Sequence, residues 1–358
     1  MIVQPATPLV VHGDARSRGL AFAWAGEAHR GAVQARVHSV MKLLARTGSA
    51  EWVAAQRQAQ RDLLPEIAAF VDGMADGYGV PSDALFAAHL RYAIEDRHDA
   101  PPIPDDGCSV FAVTRADGTT LLAKNRDNPV GLRSLQTLLR QSDPAWDGRQ
   151  ILCVGSFGSM PSASSGMNTD GLCVADTAVR TDDLGIGVLR YDLMEALLIR
   201  CGDVAQALAM ITRLPHVGGG NLLLSDAGGT IAAVEIGHRR VAVTRPDGPR
   251  SMTRTNHVLD ETLSASLRER PGCAARVHSE SRLARLRQRI ADASDWDIAD
   301  CAALLSEHAE QAGGAPICRH DADTATMSGA IYDPGTRMLL LSVAQPCLGP
   351  WRRASLAA

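Results

Sequence analysis

The feature that most constrains the fold is a change of sequence pattern near residue 100. Residues 98–107 read His-Asp-Ala-Pro-Pro-Ile-Pro-Asp-Asp-Gly, and prolines among turn-forming residues exclude both a helix and a central strand. Apolar residues recur at helical spacing before this segment, whereas short strand patterns dominate after it. The pattern therefore predicts a helical N-terminal segment, residues 1–107, followed by a β-rich part, residues 108–358.

Two apolar stripes carry the helical prediction. Each stripe repeats at the three- and four-residue spacing of one helix face: Val33, Val37, Val40, Met41 and Leu44 in the first, and Ile67, Phe70, Val71, Met74 and Tyr78 in the second. Gly79 is expected to end the second helix. A third helix is expected over residues 82–97.

The β-rich part begins with a predicted hairpin. Residues 109–114 and 120–125 have strand character, and Asp117-Gly118 between them is a strong hairpin-turn signal. Helices interrupt the later strands, so an α+β layered domain is expected rather than a doubly wound parallel sheet. The further predicted strands cover residues 135–141, 150–155, 171–178, 221–225, 230–236, 240–244, 251–256, 327–333 and 337–343, and the further helices cover residues 191–200, 203–213, 277–291 and 297–312.

Charge and hydropathy exclude several classes of function. A formal charge of −4 and a pI near 6.3 argue against a general binder of nucleic acid or anionic membranes. No apolar run approaches the length of a membrane helix, and residues 1–12 lack the pattern of a secretory signal, so the expected location is the cytoplasm. The eight cysteines form no CxxC pair and are expected to be reduced thiols.

Other candidate motifs favour ordinary structural roles. Residues 218–220 are three glycines that do not match a dinucleotide-binding fingerprint. Cys318, His320, Asp321 and Asp323 lie close together, but without a second Cys/His pair at matching spacing they predict no metal site. A run of arginines on a predicted helix is expected to form a solvated face; it comprises Arg276, Arg282, Arg285, Arg287 and Arg289.

Cys108 is the strongest candidate for chemistry. It opens the first strand of the predicted hairpin, and Asp127 follows the return strand. A hairpin of this length brings the end of its second strand beside the start of its first, which puts Asp127 within side-chain reach of Cys108. The alternative is that Cys108 is one more small buried hydrophobic residue.

Four short motifs follow one another along the chain: Gly13 with Arg18-Gly19, residues 106–113 (DGCSVFAV) with Asn125-Arg126-Asp127, residues 166–172 (GMNTDGL), and Thr255-Asn256-His257. Together they resemble the N-terminal-nucleophile (Ntn) hydrolases, in particular the autoproteolytic acyl-CoA:6-aminopenicillanic acid acyltransferases and their relatives, the bile-salt and penicillin V acylases. The resemblance runs from about residue 10 to about residue 347, nearly the whole chain. The resemblance implies an αββα four-layer sandwich that carries the helical N-terminal segment.

The resemblance also implies a mechanism. The precursor would be cut between Gly107 and Cys108, leaving residues 1–107 and 108–358 as two associated fragments of one domain. The α-amino group of Cys108 would then take the proton of its own thiol. Asp127 would hold that amine, and Asn256 would donate its amide N–H to the oxyanion of the tetrahedral intermediate.

Substrate-binding candidates come from positions where this sequence matches the motifs of those families and from positions where it differs from them. Lys124 stands where bile-salt acylases carry an arginine, and Asn125 follows it in the same motif region. The strand after Gly171 lacks the asparagines of those families, so the second oxyanion donor is open, with Thr177 or a backbone N–H as alternatives. Asp176 is expected either to face solvent or to recognise a cationic substrate.

The sequence therefore predicts an amidohydrolase or acyltransferase that acts on a small-molecule amide through a thioester on Cys108, without metal or organic cofactor. The alternative is a non-catalytic binding protein that retains the fold. The expected partners are the small-molecule amide or acyl donor and the two fragments of the precursor, with homo-oligomers possible and neither nucleic acid nor membrane expected. The acyl group, the amine and the choice between hydrolysis and acyl transfer do not follow from the sequence.

Overall fold

A computed structural model describes residues 3–98, 107–246, 251–267, 273–292, 295–308 and 314–356. Most of the predicted linker, residues 99–106, lies outside the described residues. The helices are α1 (Ala15–Ala25), α2 (Arg30–Thr47), α3 (Ala50–Leu63), α4 (Pro65–Tyr78), α5 (Ser82–His89), α6 (Arg91–Arg97), α7 (Arg190–Arg200), α8 (Val204–Arg213), α9 (Glu261–Ser264), α10 (Ala274–Ala291) and α11 (Ile298–Leu305).

The strands are short, and most of them pair in a sheet with a strand that is next to them along the chain. They are β1 (Val3–Pro5), β2 (Leu9–His12), β3 (Cys108–Thr114), β4 (Thr120–Pro129), β5 (Gln136–Ser142), β6 (Gln150–Ser156), β7 (Ser165–Asn168), β8 (Cys173–Thr177), β9 (Asn221–Ser225), β10 (Ile231–Ile236), β11 (Val241–Thr244), β12 (Ser251–Arg254), β13 (Thr324–Asp333), β14 (Met338–Ser342) and β15 (Trp351–Ser355). No described helix has the length and apolar character needed to cross a membrane.

The strands form two sheets. The first sheet has the order β1-β15-β14-β13-β4-β3-β12, and the second has the order β11-β10-β9-β8-β7-β6-β5-β2. The contacts between neighbouring strands are antiparallel except at β1 with β15 and β2 with β5, which pair in parallel. Since β1 and β2 both precede the linker, the N-terminal segment contributes one strand to each sheet as well as its helices.

The two sheets pack face to face and helices cover their outer faces. The core between the sheets includes Val110 and Leu122 from the first sheet and Val154 and Leu223 from the second. Helices α10 and α11 cover the outer face of the first sheet, and helices α1 to α8 cover that of the second. The αββα sandwich expected for an Ntn hydrolase is therefore confirmed.

Several local predictions are confirmed and others need correction. Helix α4 ends at Gly79, which adopts a left-handed conformation with φ 64°. The single helix expected over residues 82–97 is two helices that meet at Leu90. The strand expected over residues 171–178 is limited to β8, because Gly171 has φ 92° and turns the chain. Strands β1, β2, β7 and β15 were not predicted from the sequence.

Candidate active site

The hairpin of β3 and β4 brings Gly107, Cys108 and Asp127 together. Cys108 lies opposite Arg126 in the antiparallel register. One residue further along, the backbone N–H of Asp127 donates to the carbonyl oxygen of Gly107 over 2.8 Å. The predicted contact between the start of β3 and the end of β4 is therefore present, and it is centred on the Gly107–Cys108 peptide bond.

Strand alternation divides the site residues between two faces of the first sheet. Val110 pairs with Lys124, and Cys108 pairs with Arg126. Val110 packs into the core between the sheets, so its face of the strands carries Cys108, Lys124 and Arg126. Asn125 and Asp127 belong to the opposite face, which α10 and α11 cover.

Cys108 is nearly inaccessible to solvent, with 7% of its surface exposed. Its backbone N–H donates to Oδ1 of Asn256 over 2.8 Å. Burial raises the pKa of the Cys108 thiol, and the positive charge of Lys124 opposes that increase. The thiol in the uncut chain is therefore protonated near neutral pH and needs a base before it can act as a nucleophile.

Asp127 is buried beside the same peptide bond. Its Oδ1 accepts a hydrogen bond from the Thr326 hydroxyl over 2.7 Å, and burial raises the pKa of Asp127 to about 6. Its Oδ2 has no hydrogen-bond donor among the described residues. This oxygen would lie 2.7 Å from a Cβ atom at residue 107, so only glycine leaves room for the carboxylate there.

Asn256 follows β12 and has a fixed amide orientation. Its Oδ1 accepts from the Cys108 backbone N–H and from Nη2 of Arg282, each over 2.8 Å. Its Nδ2 donates to the carbonyl oxygen of Ala178 over 3.0 Å. Ser279 anchors the backbone, because its hydroxyl accepts from the Asn256 N–H over 2.8 Å. The side chain thus lies at the Gly107–Cys108 bond with its oxygen toward Cys108.

Arg282 is a site residue that the sequence interpretation missed. The expected solvated face is wrong for this arginine, because only 1% of Arg282 is exposed. Its guanidinium donates to the Cys108 carbonyl oxygen, to the Ser109 hydroxyl over 2.9 Å, and to Asn256. A signal was present in the sequence, since Arg282 lies four residues before the buried Leu286 and therefore on its side of α10.

Asp176 lies in a buried group of three charges. Its Oδ1 contacts Nζ of Lys124 over 2.6 Å, and its Oδ2 contacts Nε of Arg190 over 2.9 Å. Burial alone would raise the pKa of Asp176, but the two cations outweigh this and hold it below its usual value. The solvent-facing interpretation is wrong because Asp176 is 4% exposed. Both carboxylate oxygens are already neutralised by cations of the chain itself.

The other two substrate-binding candidates make structural contacts. The Thr177 hydroxyl donates to the Thr255 carbonyl oxygen over 2.6 Å and accepts from Nδ2 of Asn221, so its proton is committed away from a substrate. Asn125 points to the helical layer, where its Nδ2 donates to the carbonyl oxygens of Leu305 and Ile317 over 2.8 Å each. Both side chains hold neighbouring segments around the site.

A cavity of about 340 Å³ begins at Arg126, the residue opposite Cys108. Its wall includes residues of α2, α6 and α7, and its polar lining is dominated by Arg36, Arg91 and Arg126 with no carboxylate among the lining residues. A larger cavity of about 790 Å³ contacts β3 only at Val113 and Thr114. That end of the strand is about 20 Å from Cys108, so of these two cavities the arginine-lined one is the nearer to Cys108.

Comparison with known proteins finds a matching family and structures of similar fold. Residues 113–347 match the family model of the acyl-coenzyme A:6-aminopenicillanic acid acyl-transferases (AAT); the matched region contains Asp127 and Asn256 and begins just after Cys108. The fold is similar to a mutant of the conjugated bile acid hydrolase from Clostridium perfringens, with 13% identity and a TM-score of 0.48 over 70% of this chain and 92% of that chain. It is also similar to the penicillin V acylase from Agrobacterium tumefaciens, with 14% identity and a TM-score of 0.45 over 70% of this chain and 86% of that chain. No curated protein sequence matches significantly.

Proposed function

Because the chain belongs to the acyl-coenzyme A:6-aminopenicillanic acid acyl-transferase family, we propose that it cuts itself between Gly107 and Cys108 and then acts on a small-molecule amide. The supporting observation is that predicted site residues hold the Gly107–Cys108 bond from both sides. Asp127 donates its backbone N–H to the Gly107 oxygen, and Asn256 accepts the Cys108 N–H. The Asp127 bond continues the β3–β4 ladder, whereas the side-chain bond from Asn256 is a contact that an ordinary buried cysteine does not need.

Self-cleavage would proceed by an N-to-S acyl shift. Sγ of Cys108 attacks the Gly107 carbonyl carbon, the C–N bond breaks, and the thiol proton passes to the departing nitrogen. Water then hydrolyses the resulting thioester, which releases the carboxylate of Gly107 and restores the thiol. The Asp127 backbone N–H is already aimed at the oxygen that becomes negative in the first step, as oxyanion stabilisation requires.

Turnover would use the new α-amino group as the base. The amine takes the Cys108 proton, the thiolate attacks the substrate carbonyl, and the substrate amine leaves with a proton. A second nucleophile, water or another amine, resolves the thioester. An α-amino group has an unperturbed pKa of about 7.7–8.0, which suits proton transfer near neutral pH.

Asp127 and Asn256 would divide the remaining tasks. Asp127 has a buried carboxylate oxygen beside Gly107, where departure of residue 107 would leave room for the ammonium form of the amine. Asn256 donates one hydrogen of Nδ2 to Ala178, and the second hydrogen of the same Nδ2 is the one that the oxyanion would use. Arg282 would keep this amide in place.

The cavity that begins at Arg126 favours a substrate with a negative group. Arg36 donates to the Ala88 carbonyl oxygen over 3.2 Å, and Arg126 donates to Gly155 over 2.9 Å and to Ser156 over 3.0 Å. These partners are neutral, whereas Arg91 is paired with Glu95 over 2.7 Å, so Arg36 and Arg126 are the cations that a carboxylate entering the cavity would meet. A negatively charged substrate is the opposite of the cationic substrate that the sequence analysis considered for Asp176.

Trapping of the thioester tests the enzymatic function. Purified protein is mixed with N-acyl-4-nitroanilides or their ring-carboxylated counterparts, quenched in acid and measured by intact mass. We expect the acyl mass on the chain that begins at Cys108, and none in Cys108→Ala or after treatment with iodoacetamide. If no amide of either series is turned over or forms an adduct although the chain is cut, the alternative of a binding protein that retains the fold is favoured.

A further inference from the structure

Four side chains of metal-binding type converge behind the catalytic strands. His308 follows α11, Cys318 and His320 precede β13, and Cys347 lies in the turn between β14 and β15. Their ligand atoms all lie within 4.8 Å of one another. The sequence predicts no metal site because only Cys318 and His320 are neighbours; the fold supplies the other two donors.

Two separations among these atoms match the edges of a tetrahedron around zinc. Bond lengths of about 2.3 Å to sulfur and about 2.0–2.1 Å to nitrogen give edges of about 3.8 Å between sulfurs and about 3.5 Å between sulfur and nitrogen. Sγ of Cys318 lies 3.7 Å from Sγ of Cys347 and 3.5 Å from Nε2 of His320. The edge from Nε2 of His320 to Sγ of Cys347 is shorter, at 3.1 Å.

We propose that His308, Cys318, His320 and Cys347 bind one zinc ion in a structural site. Two thiolates and two imidazoles are the donors that zinc prefers, whereas calcium and magnesium need oxygen ligands. Four protein donors fill a tetrahedron and leave no position for a reacting water. A disulfide is a different arrangement, since it needs about 2.05 Å between sulfurs, much less than the 3.7 Å observed.

The proposed ion would fix the segment that supports Asp127. On one side of Cys318, the carbonyl oxygen of Ile317 accepts from Nδ2 of Asn125 over 2.8 Å. On the other side, the backbone N–H of Arg319 donates to the Thr326 hydroxyl over 2.8 Å, and that hydroxyl donates to Asp127. Zinc bound at Cys318 would thus hold Arg319 and Thr326 in place, and through them the carboxylate of Asp127.

The group is accessible to a metal ion. His320 is exposed, and a cavity of about 760 Å³ is lined by His308 and Cys347. An entry path of this kind is one requirement for a site that loads after folding. The proposal does not depend on self-cleavage or on the acyl chemistry, because none of the four ligands is a residue proposed to carry that chemistry.

Zinc content of the full-length protein is the first test. Protein expressed with added zinc and purified with a phosphine reductant is expected to hold about one zinc per chain by elemental analysis. Cys347→Ser and His320→Ala are expected to lose most of it. Cys273→Ser removes a cysteine outside the group and is the matched control; it and Cys108→Ala should keep the zinc.

Cobalt binding covers the case in which a variant fails to fold. Chelator-stripped wild-type protein is titrated with cobalt(II), which is expected to give intense tetrahedral bands and a thiolate charge-transfer band that zinc abolishes. Wild-type protein that holds no zinc and gives no thiolate–cobalt band overturns the proposal. A Cys318–Cys347 disulfide in place of the zinc overturns it equally.

Discussion

The backbone N–H of Asp127 donates a hydrogen bond to the carbonyl oxygen of Gly107, with 2.8 Å between nitrogen and oxygen. This bond polarises the carbonyl that self-cleavage would attack. The carboxylate of the same residue lies beside Gly107 with a pKa raised to about 6 by burial. Under the proposed mechanism, one residue at the end of β4 would therefore contribute a backbone donor to the uncut chain and a buried carboxylate to the cut one.

The raised pKa of Asp127 predicts a pH-dependent cost in the uncut chain. A carboxyl whose folded pKa lies above its unfolded value stabilises the protein fully below the unfolded pKa, and this contribution is lost as pH rises through the folded pKa. Here the window runs from about pH 4 to about pH 6 and the loss is about 3 kcal/mol at most. Asp127→Asn does not titrate and avoids this loss.

The measurement compares two uncut chains, Cys108→Ala with and without Asp127→Asn, by urea unfolding. The double variant should gain stability relative to the single one by about 2–3 kcal/mol between about pH 4.5 and about pH 7.5. Using the difference between two chains cancels other titrating groups such as Asp192, whose pKa burial raises to about 7. A difference that does not change with pH would show that Asp127 ionises normally.

Asn256→Ala tests the oxyanion role. Losing one oxyanion donor typically costs about 10²–10³ in rate, so kcat should fall by that factor while KM changes much less, because the oxyanion exists only along the reaction path. Steady-state kinetics on the processed enzyme supply both constants. A kcat within about threefold of the wild-type value would remove Asn256 from the oxyanion hole.

Local sequence signals were sufficient to find the hairpin that carries Cys108 and Asp127. The Asp117-Gly118 turn fixes the register of β3 and β4, and register fixes which residues meet at their ends. The αββα layering followed from the family resemblance, since periodicity alone does not give strand order.

The missed features depend on contacts between distant segments. Arg282 reaches Cys108 from α10, and Asp176 meets Lys124 and Arg190 from separate elements. A charged residue in a sequence is most often at the surface, and only the packed structure reveals a buried partner. The cluster that contains His308 and Cys347 was also missed, because its members come from distant segments of the chain.

Asp176→Asn is expected to act on stability rather than on substrate choice. Removing the shared carboxylate leaves Lys124 and Arg190 with an uncompensated buried charge, which costs about 3–5 kcal/mol. Chemical unfolding measures this loss. Activity on matched cationic and neutral amides should fall to the same extent, whereas a selective loss on the cationic amide would restore the substrate-recognition role.

Arg126→Gln tests the sign of the substrate. A hydrogen bond to a charged group contributes about 1.5–3 kcal/mol, so KM for a ring-carboxylated acyl anilide should rise at least about tenfold while the neutral anilide changes little. Arg133→Gln removes an exposed arginine outside the cavity lining and serves as the control. Equal effects on both anilides would mean that the cavity does not bind the carboxylate.

The most direct test of the central claim is the intact mass of the purified protein, with N-terminal sequencing of its fragments. Wild-type protein should separate under denaturing conditions into residues 1–107 and residues 108–358, the second beginning with Cys108. Cys108→Ala should remain one chain, and Cys108→Ser should be cut more slowly because a hydroxyl proton is harder to remove. Wild-type protein that stays intact and still turns over amides would contradict the N-terminal-nucleophile mechanism.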